Sequence, residues 1–393
     1  MRRKVVLTGA GVVSAVGDSP AALYGALTDG RRGAGIDFNP GRYFGARNAR
    51  PLDRISQLAA AAAGLALADA GCTADDCAHR PVGLVLGTVF SGVRTICAFD
   101  RRAIDVGPEY ASPLDFANTV LNAAAGQAAI WHNLRGPNAT MAAGVASGLQ
   151  AIIYGAELIA AGAVDAVLAG GADERSPEAA DALDRAGLTG ADDAASTPFA
   201  EDRAGMRLGE AAAFVMLEAD GLARSRGASV RAGLRGFATG HAAGADGRLD
   251  PERVAAVLRG ALADAELGAG AVDVVGAAAS GSLEVDACEA RALALALRDR
   301  ERPAAVMAVK SAVGEALGAS GALQVVAMLE SMRAGALPGI AGLERSILDE
   351  RYAVASGAVR RLDIRTALID AFGWDGQCSA LAIDNGDATR GTA

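Results

Sequence analysis

The chain has few aromatic residues, almost no lysine, no paired cysteines and no long uninterrupted apolar run. Aromatics make up 4% of the 393 residues, so the core has to be built from Ala, Val, Leu and Ile. Lys4 and Lys310 are the only lysines and the other basic residues are arginine, which reads as composition bias and not as a nucleic-acid footprint. Positive charge is in short supply too. The formal net charge is −9, which argues against nucleic acid and anionic membrane as partners. Cys72, Cys77, Cys97, Cys288 and Cys378 contain no C-x-x-C pair, so neither a zinc site nor any other metal is expected. Scattered thiols read as reduced, in a cytoplasmic protein. No stretch of about 18 apolar residues escapes charge or glycine, so no membrane span is expected. The opening MRRKVVLTGAGVV lacks the apolar core of a secretory signal.

Hydrophobic residues are plentiful at 51%. The length allows two or three domains, or one large duplicated one. Strands are expected at 4–7, 81–87, 138–143, 164–168, 212–217, 230–237, 272–278, 303–309, 366–371 and 379–384. Helices are expected at 20–29, 51–70, 112–134, onward from 147, and at 250–265, 284–298 and 316–334. This alternation points to a layered α/β fold. The TGAGVVSAVG stretch reads as a Gly-rich loop, but it lacks the third glycine and the acidic residue of a dinucleotide site. Ala146-Ser147-Gly148-Leu149-Gln150 and Ala319-Ser320-Gly321-Ala322-Leu323-Gln324 open two similar helices. Each runs on to a Glu and a closing Gly, which suggests a duplication into 1–228 and 229–393 with its boundary near Ala228.

The stretch RGPNATMAAGVASGLQ carries the sharpest signal. Asn138 to Ala143 reads as a short buried strand, Gly144 to Ser147 as a tight turn, and a helix follows from Ser147. Such a bend exposes one residue under the positive end of a helix dipole. Nucleophiles stand there because the helix end lowers a thiol's pKa and its free N–H groups can hold an oxyanion. Here that residue is Val145, which offers no proton, lone pair or charge.

Seven segments, KVVLTGAGVVSAVG, ISQLAAAAAGLALADAG, SPLDFANTVLNAAAGQAAIWHNLRGPN, VDAVLAGGADE, STPFAEDRAGMRLGEAAAFVMLE, DVVGAAASGSLEVDACEA and VMAVKSAVGEALGASGALQ, span nearly the whole chain. In that order they resemble the β-ketoacyl synthase family of fatty-acid and polyketide assembly. The resemblance implies a thiolase-like fold: α/β, duplicated, in five α/β/α/β/α layers, with chains paired as dimers. It implies a catalytic Cys and two His, whose positions match Val145, Ala278 and Glu315. The family's Lys matches Lys310 and the acidic partner of that Lys matches Gln324. The oxyanion hole matches the backbone of Val145 and Trp374. The three histidines, His79, His132 and His241, match neither His position. In the family the thiolate takes an acyl chain from a carrier protein and the imidazoles assist decarboxylation; Val, Ala and Glu cannot perform those steps. One branch lacks the Cys in the same way: the chain-length factor, the β subunit of heterodimeric type II polyketide ketosynthases. Its His region is similar to GSLEVDACEARAL, including Glu284 and Asp286. Many members of that branch carry Gln at the bend, and Gln there is linked to decarboxylation in related domains. Val145 has no amide for that.

The resemblance thus implies a non-catalytic ketosynthase-like subunit. It would pair with an active ketosynthase through the strand Asn138–Ala143, need no cofactor, and leave acyl carrier protein to dock mainly on the partner. Cavity and interface candidates are Phe116, Ala117, Asn118, Thr119, Leu121 and Thr140. The small residues 117–119 either leave a long channel or simply pack a helix. Glu315 is either a buried partner of Lys310 or a solvated first-turn residue. Lys310 reads as structural, Trp374 as packing, Cys378 as inert core, and His132 as a locally bonded helix end. Two alternatives stay open. One is an acyltransferase or decarboxylase with altered chemistry using Glu315 or Cys378; the other is a partner that only keeps its mate folded.

Overall fold

The computed structural model describes residues 2–45, 49–73, 76–77, 80–190, 196–300, 302–349, 352–354 and 359–386; His79 lies outside them. The strands used below are β1 (Val5–Ser14), β2 (Val82–Gly87), β3 (Asn138–Met141), β4 (Ala166–Asp173), β5 (Ala211–Ala219), β6 (Ala232–His241), β7 (Val274–Gly276), β8 (Ala304–Met307), β9 (Tyr352–Val354), β10 (Thr366–Phe372) and β11 (Gln377–Asp384). The helices are α1 (Pro20–Thr28), α2 (Arg54–Asp69), α3 (Val93–Asp105), α4 (Ala123–Trp131), α5 (Ser147–Ala160), α6 (Pro177–Arg185), α7 (Pro251–Asp264), α8 (Leu283–Ala296) and α9 (Ser320–Ala334). Of these, α3 and α6 are absent from the expectations above.

Most of the stretch expected to be a Gly-rich loop, Thr8 to Ser14, belongs to β1, a strand ten residues long and buried throughout; only 15–17 turn. Gly9 and Gly11 face the same side, two residues apart. A Cβ on Gly9 would come 2.6 Å from the Ala70 amide, and one on Gly11 would overlap the Ala62 carbonyl. The missing side chains let α2 lie directly on the strand. Asp53 caps α2 by accepting from the Ser56 N–H, and Gly71 turns the chain out at φ +66°.

The strand order is β9-β8-β7-β10-β11-β6-β1-β5-β4-β2-β3. It reads outward from the β1/β6 pair as two copies of one pattern. On one side β1, β5 and β4 are antiparallel and β4, β2 and β3 parallel; on the other β6, β11 and β10 are antiparallel and β10, β7 and β8 parallel. The seam is short, Val5–Leu7 against Ala232–Leu234. Helices α5 and α9 pack against each other between the two half-sheets, while α2 and α4 cover one outer face and α7 and α8 the other. This is the five-layered thiolase-like arrangement. Every residue of α9 from Ser320 to Ser331 is buried. One carboxylate ties the halves: Asp173 accepts from Thr88 Oγ1 (2.8 Å) and from the N–H groups of Val89, Phe90, Ser91 and, across the layer, Gly318 (2.8 Å).

Three expectations need correction. β3 ends at Met141 and is half-exposed, not buried, because among the described residues no strand lies on its outer side. Residues 112–134 are not one helix. A turn of helix at Pro113–Phe116 gives way to irregular chain before α4, because the Asn118 side chain turns inward and donates to the Pro51 carbonyl (2.9 Å). Helix α9 starts at Ser320, not Ala316. A turn of 3-10 helix over Leu317–Ala319 intervenes, after the chain has been turned by Gly314 at φ +74°.

Candidate functional site

At the bend, Gly144 adopts φ +54° and delivers Val145 to the N-terminal end of α5. The Ser147 hydroxyl holds the turn, accepting from the Ala143 N–H (2.8 Å) and facing the Gly144 carbonyl at 2.6 Å. Val145 is 1% exposed and packs in an apolar cluster with Ala179, Leu183, Met206, Leu208 and Leu317, with Trp374 against it. The Val145 N–H is not free. It donates to Asp375 Oδ2 at 3.0 Å, while Asp375 Oδ1 accepts from the Gln377 N–H at 2.9 Å. Burial is the main influence raising the Asp375 pKa above its ordinary value, and the charge of Glu315 adds to it.

Ala278 lies two residues past the end of β7. Its carbonyl accepts from Lys310 Nζ at 2.6 Å, and the same ammonium meets Glu315 Oε2 at 2.7 Å. Lys310 and Glu315 side chains are 3% and 2% exposed, so Glu315 takes the buried one of its two possible positions. Its other oxygen accepts from Ser320 Oγ (2.7 Å) and the Leu317 N–H (3.0 Å). Gln324 is turned to the backbone. Its amide donates to the Ala277 and Asp370 carbonyls at 2.6 and 2.9 Å.

Behind Ala278 sits a carboxyl pair absent from the expectations above. The Ala278 N–H donates to Glu289 Oε1 (2.8 Å) and Asp370 Oδ1 (3.1 Å), both fully buried. Burial pushes Asp370 up to about 6 and, with Asp370 beside it, Glu289 well above the usual range. Glu289 Oε2 and Asp370 Oδ2 have no other donor among the described residues. A proton shared between the two acids satisfies both, as neighbouring carboxyls require.

The remaining candidates sit apart. Phe116, Ala117 and Leu121 are exposed, Thr119 is half-buried, and Asn118 is buried. Phe116 closes the helical turn Pro113–Phe116, and the other four lie in the irregular chain between that turn and α4, not on a helix. Thr140 is half-buried on β3, and its hydroxyl has no partner among the described residues. Cys378 lies on β11, fully buried, its thiol pushed well up by burial. His132 closes α4, its N–H donating locally to the Ala128 carbonyl (3.1 Å), while its ring reaches across to the Ala60 carbonyl of α2 (2.7 Å). His241 is exposed at the end of β6 and flanks Gly376 of the loop that carries Asp375. Around Val145, among the described residues, there is thus an apolar wall, a plugged N–H and a neutralised ion pair.

Models of the β-ketoacyl synthase N-terminal and C-terminal domains match residues 40–223 and 231–344. The chain belongs to the β-ketoacyl synthase family. Among similar proteins, the tetracenomycin polyketide synthase ketoacyl synthase alpha subunit of Streptomyces glaucescens is 31% identical, over 99% of this chain and 98% of that protein. The 3-oxoacyl-[acyl-carrier-protein] synthase 2 of Coxiella burnetii is 29% identical, over 97% and 98%. The solved ishigamide ketosynthase/chain length factor has a TM-score of 0.90 and 28% identity, covering 98% of this chain and 100% of that one. Within this β-ketoacyl synthase fold, sequence reading alone did not single out Asp375, Glu289 or Asp370. For Asp375 the one available signal was an acid inside the glycine-rich FGWDGQ loop. For Glu289 it was the i,i+3 spacing from Asp286 on one helix. No helix among the described residues is long and apolar enough to cross a membrane.

Proposed function

We propose that the chain is a ketosynthase-like subunit without acyl chemistry of its own, a chain-length factor. It pairs with an active β-ketoacyl-acyl-carrier-protein synthase and shapes the cavity in which a polyketide or fatty-acid-like chain grows. The observation that carries this reading is the side chain at the bend: an isopropyl group buried where the fold would present sulfur. Ala278, the Lys310–Glu315 pair and Trp374 complete a surround that cannot supply a nucleophile or a free base.

Support for a partner comes from the stretch 104–121 and from the open edge of β3. Ile104, Val106, Tyr110, Leu114, Phe116, Val120 and Leu121 are all exposed, and α3 contains no buried residue. Exposed apolar residues in such number, and an edge strand with no outer neighbour among the described residues, are each the usual mark of an interface. The alternative of altered chemistry gains nothing from the geometry. Both Glu315 oxygens are engaged, and Cys378 is enclosed. Docking of acyl carrier protein mainly on the partner, and the division at 228/229, belong to the same proposal.

The test uses the purified full chain with acyl- and malonyl-carrier protein. No covalent acyl label and no CO₂ are expected, while co-expression with a Cys-bearing ketosynthase yields a co-purifying pair. An acyl label on any residue of the isolated chain overturns the reading.

A further inference from the structure

The loop Gly373-Trp374-Asp375-Gly376-Gln377 joins β10 to β11 and lies against the bend. Gly144 leaves room for it; a Cβ there would overlap Asp375 Oδ2. The carboxylate sits at the N-terminal end of α5, a helix of 14 residues, taking the Val145 N–H at 3.0 Å and the Gln377 N–H at 2.9 Å. The first of these N–H groups is the donor that a thioester oxygen needs as negative charge builds on it. It also points from the helix end that favours an anion. Here the anion is part of the protein.

We infer that Asp375 is a resident anion that fills the oxyanion pocket at the bend and excludes a thioester oxygen from it, so that restoring sulfur at position 145 does not by itself restore a reactive thiolate. This deepens the reading above and rests on it for its biological meaning, though its physical test needs neither partner nor substrate. The bend is closed in two ways, by the loss of a nucleophile and by the gain of a charge of the wrong sign. A neutral Val145 tolerates that carboxylate; a thiolate does not. At about 5 Å and an effective dielectric of about 20, one carboxylate raises a neighbouring thiol by roughly two pH units. Of the other charged groups facing Asp375, Glu315 acts in the same direction and is partly offset by its bond to Lys310. His241, across Gly376, opposes both. An oxygen bearing developing charge meets the same field, so the pocket rejects the enolate of a decarboxylating malonyl thioester as well as a tetrahedral intermediate.

The experiment compares Val145→Cys, Val145→Cys with Asp375→Asn, and Val145→Cys with Asp375→Gly in the full chain. Thiolate absorbance near 240 nm is followed against pH, and subtracting the parent chain removes the five native cysteines. Absorbance does not depend on reagent access to a buried site. For Val145→Cys alone the midpoint is expected above the ordinary thiol value of about 8.5. In both double variants it falls by at least about one pH unit, about a tenfold gain in the thiolate-to-thiol ratio at neutral pH. Asn keeps the size and the acceptor oxygen of Asp, so the comparison stands even where the Gly variant does not fold. Three midpoints within about 0.3 pH unit of one another overturn the inference and leave the non-catalytic reading standing. An acyl label on the parent chain removes that reading and leaves the midpoints unaffected.

Discussion

Replacing Glu315 by Leu strands the Lys310 ammonium in an apolar interior. In the parent the ammonium has two oxygen partners, the Ala278 carbonyl and Glu315, and neither side chain of the ion pair is more than 3% exposed. Losing one partner of such a pair costs about 3–5 kcal/mol. The same change orphans the Leu317 N–H and the Ser320 hydroxyl, each worth about 1 kcal/mol or more when buried. Discharging an ordinary lysine at pH 7 costs about 4.6 kcal/mol, from a reference value near 10.4, so the charge part of the penalty cannot exceed that. This ceiling falls by about 1.4 kcal/mol per pH unit, so the variant loses less at pH 9 than at pH 7. Lys310→Met together with Glu315→Leu removes both charges and is expected within about 2 kcal/mol of the parent. Urea unfolding followed by tryptophan fluorescence at pH 7 and 9, on the parent and the three variants of the cycle, measures the coupling. A loss below about 1 kcal/mol for Glu315→Leu, or a loss that grows with pH, refutes a buried charge pair.

Three further outcomes are expected. Gly11→Val drives a side chain into the Ala62 carbonyl on α2 and costs about 3 kcal/mol or more, read as a lowered urea midpoint; an unchanged midpoint refutes the close packing of α2 on β1. Asp370 is held at about 6 against an ordinary 3.8, so the native pair keeps a proton that the unfolded chain has released. Parent stability therefore falls as pH rises from about 4 through about 6. Asp370→Asn is expected to gain about 1–3 kcal/mol over the parent at pH 8, about half as much at pH 5 and little near pH 3, and melting curves at the three values check it. On the exposed surface, Phe116→Asp with Leu121→Asp should abolish co-purification with the ketosynthase, whereas Thr119→Trp should leave pairing intact and shorten the product. A change in yield without a change in length would favour a partner that only keeps its mate folded.

The parts of the molecule that were legible beforehand are those fixed by local pattern. A run of small residues between an apolar strand and an apolar helix has one good reading, so the bend at Gly144–Ser147 and the start of α5 were visible in the sequence. The Ala-rich α2 between Asp53 and Gly71 was visible for the same reason. What was hidden depends on partners far along the chain. Gly9 and Gly11 look like a turn from nearby residues, but their cause is a helix some 50 residues on that has to lie close. The break between Pro113 and α4 follows from Asn118 reaching the Pro51 carbonyl, which no local periodicity records. Asp375 reaches the Val145 N–H across 230 positions because the β10–β11 hairpin hangs its loop over the bend. That placement comes from strand order. The carboxyl pair of Glu289 and Asp370 likewise forms only when a helix and a strand from separate stretches meet behind Ala278.

The middle layer of the molecule has no owner. Helices α5 and α9 each come from one half of the repeat, yet each is roofed by strands of both, and the buried Gly318 N–H of the second half finds its acceptor in Asp173 of the first. A polypeptide the length of one half would carry a bare apolar helix and an unmatched edge where β1 meets β6. It could be stable only against a second copy of itself.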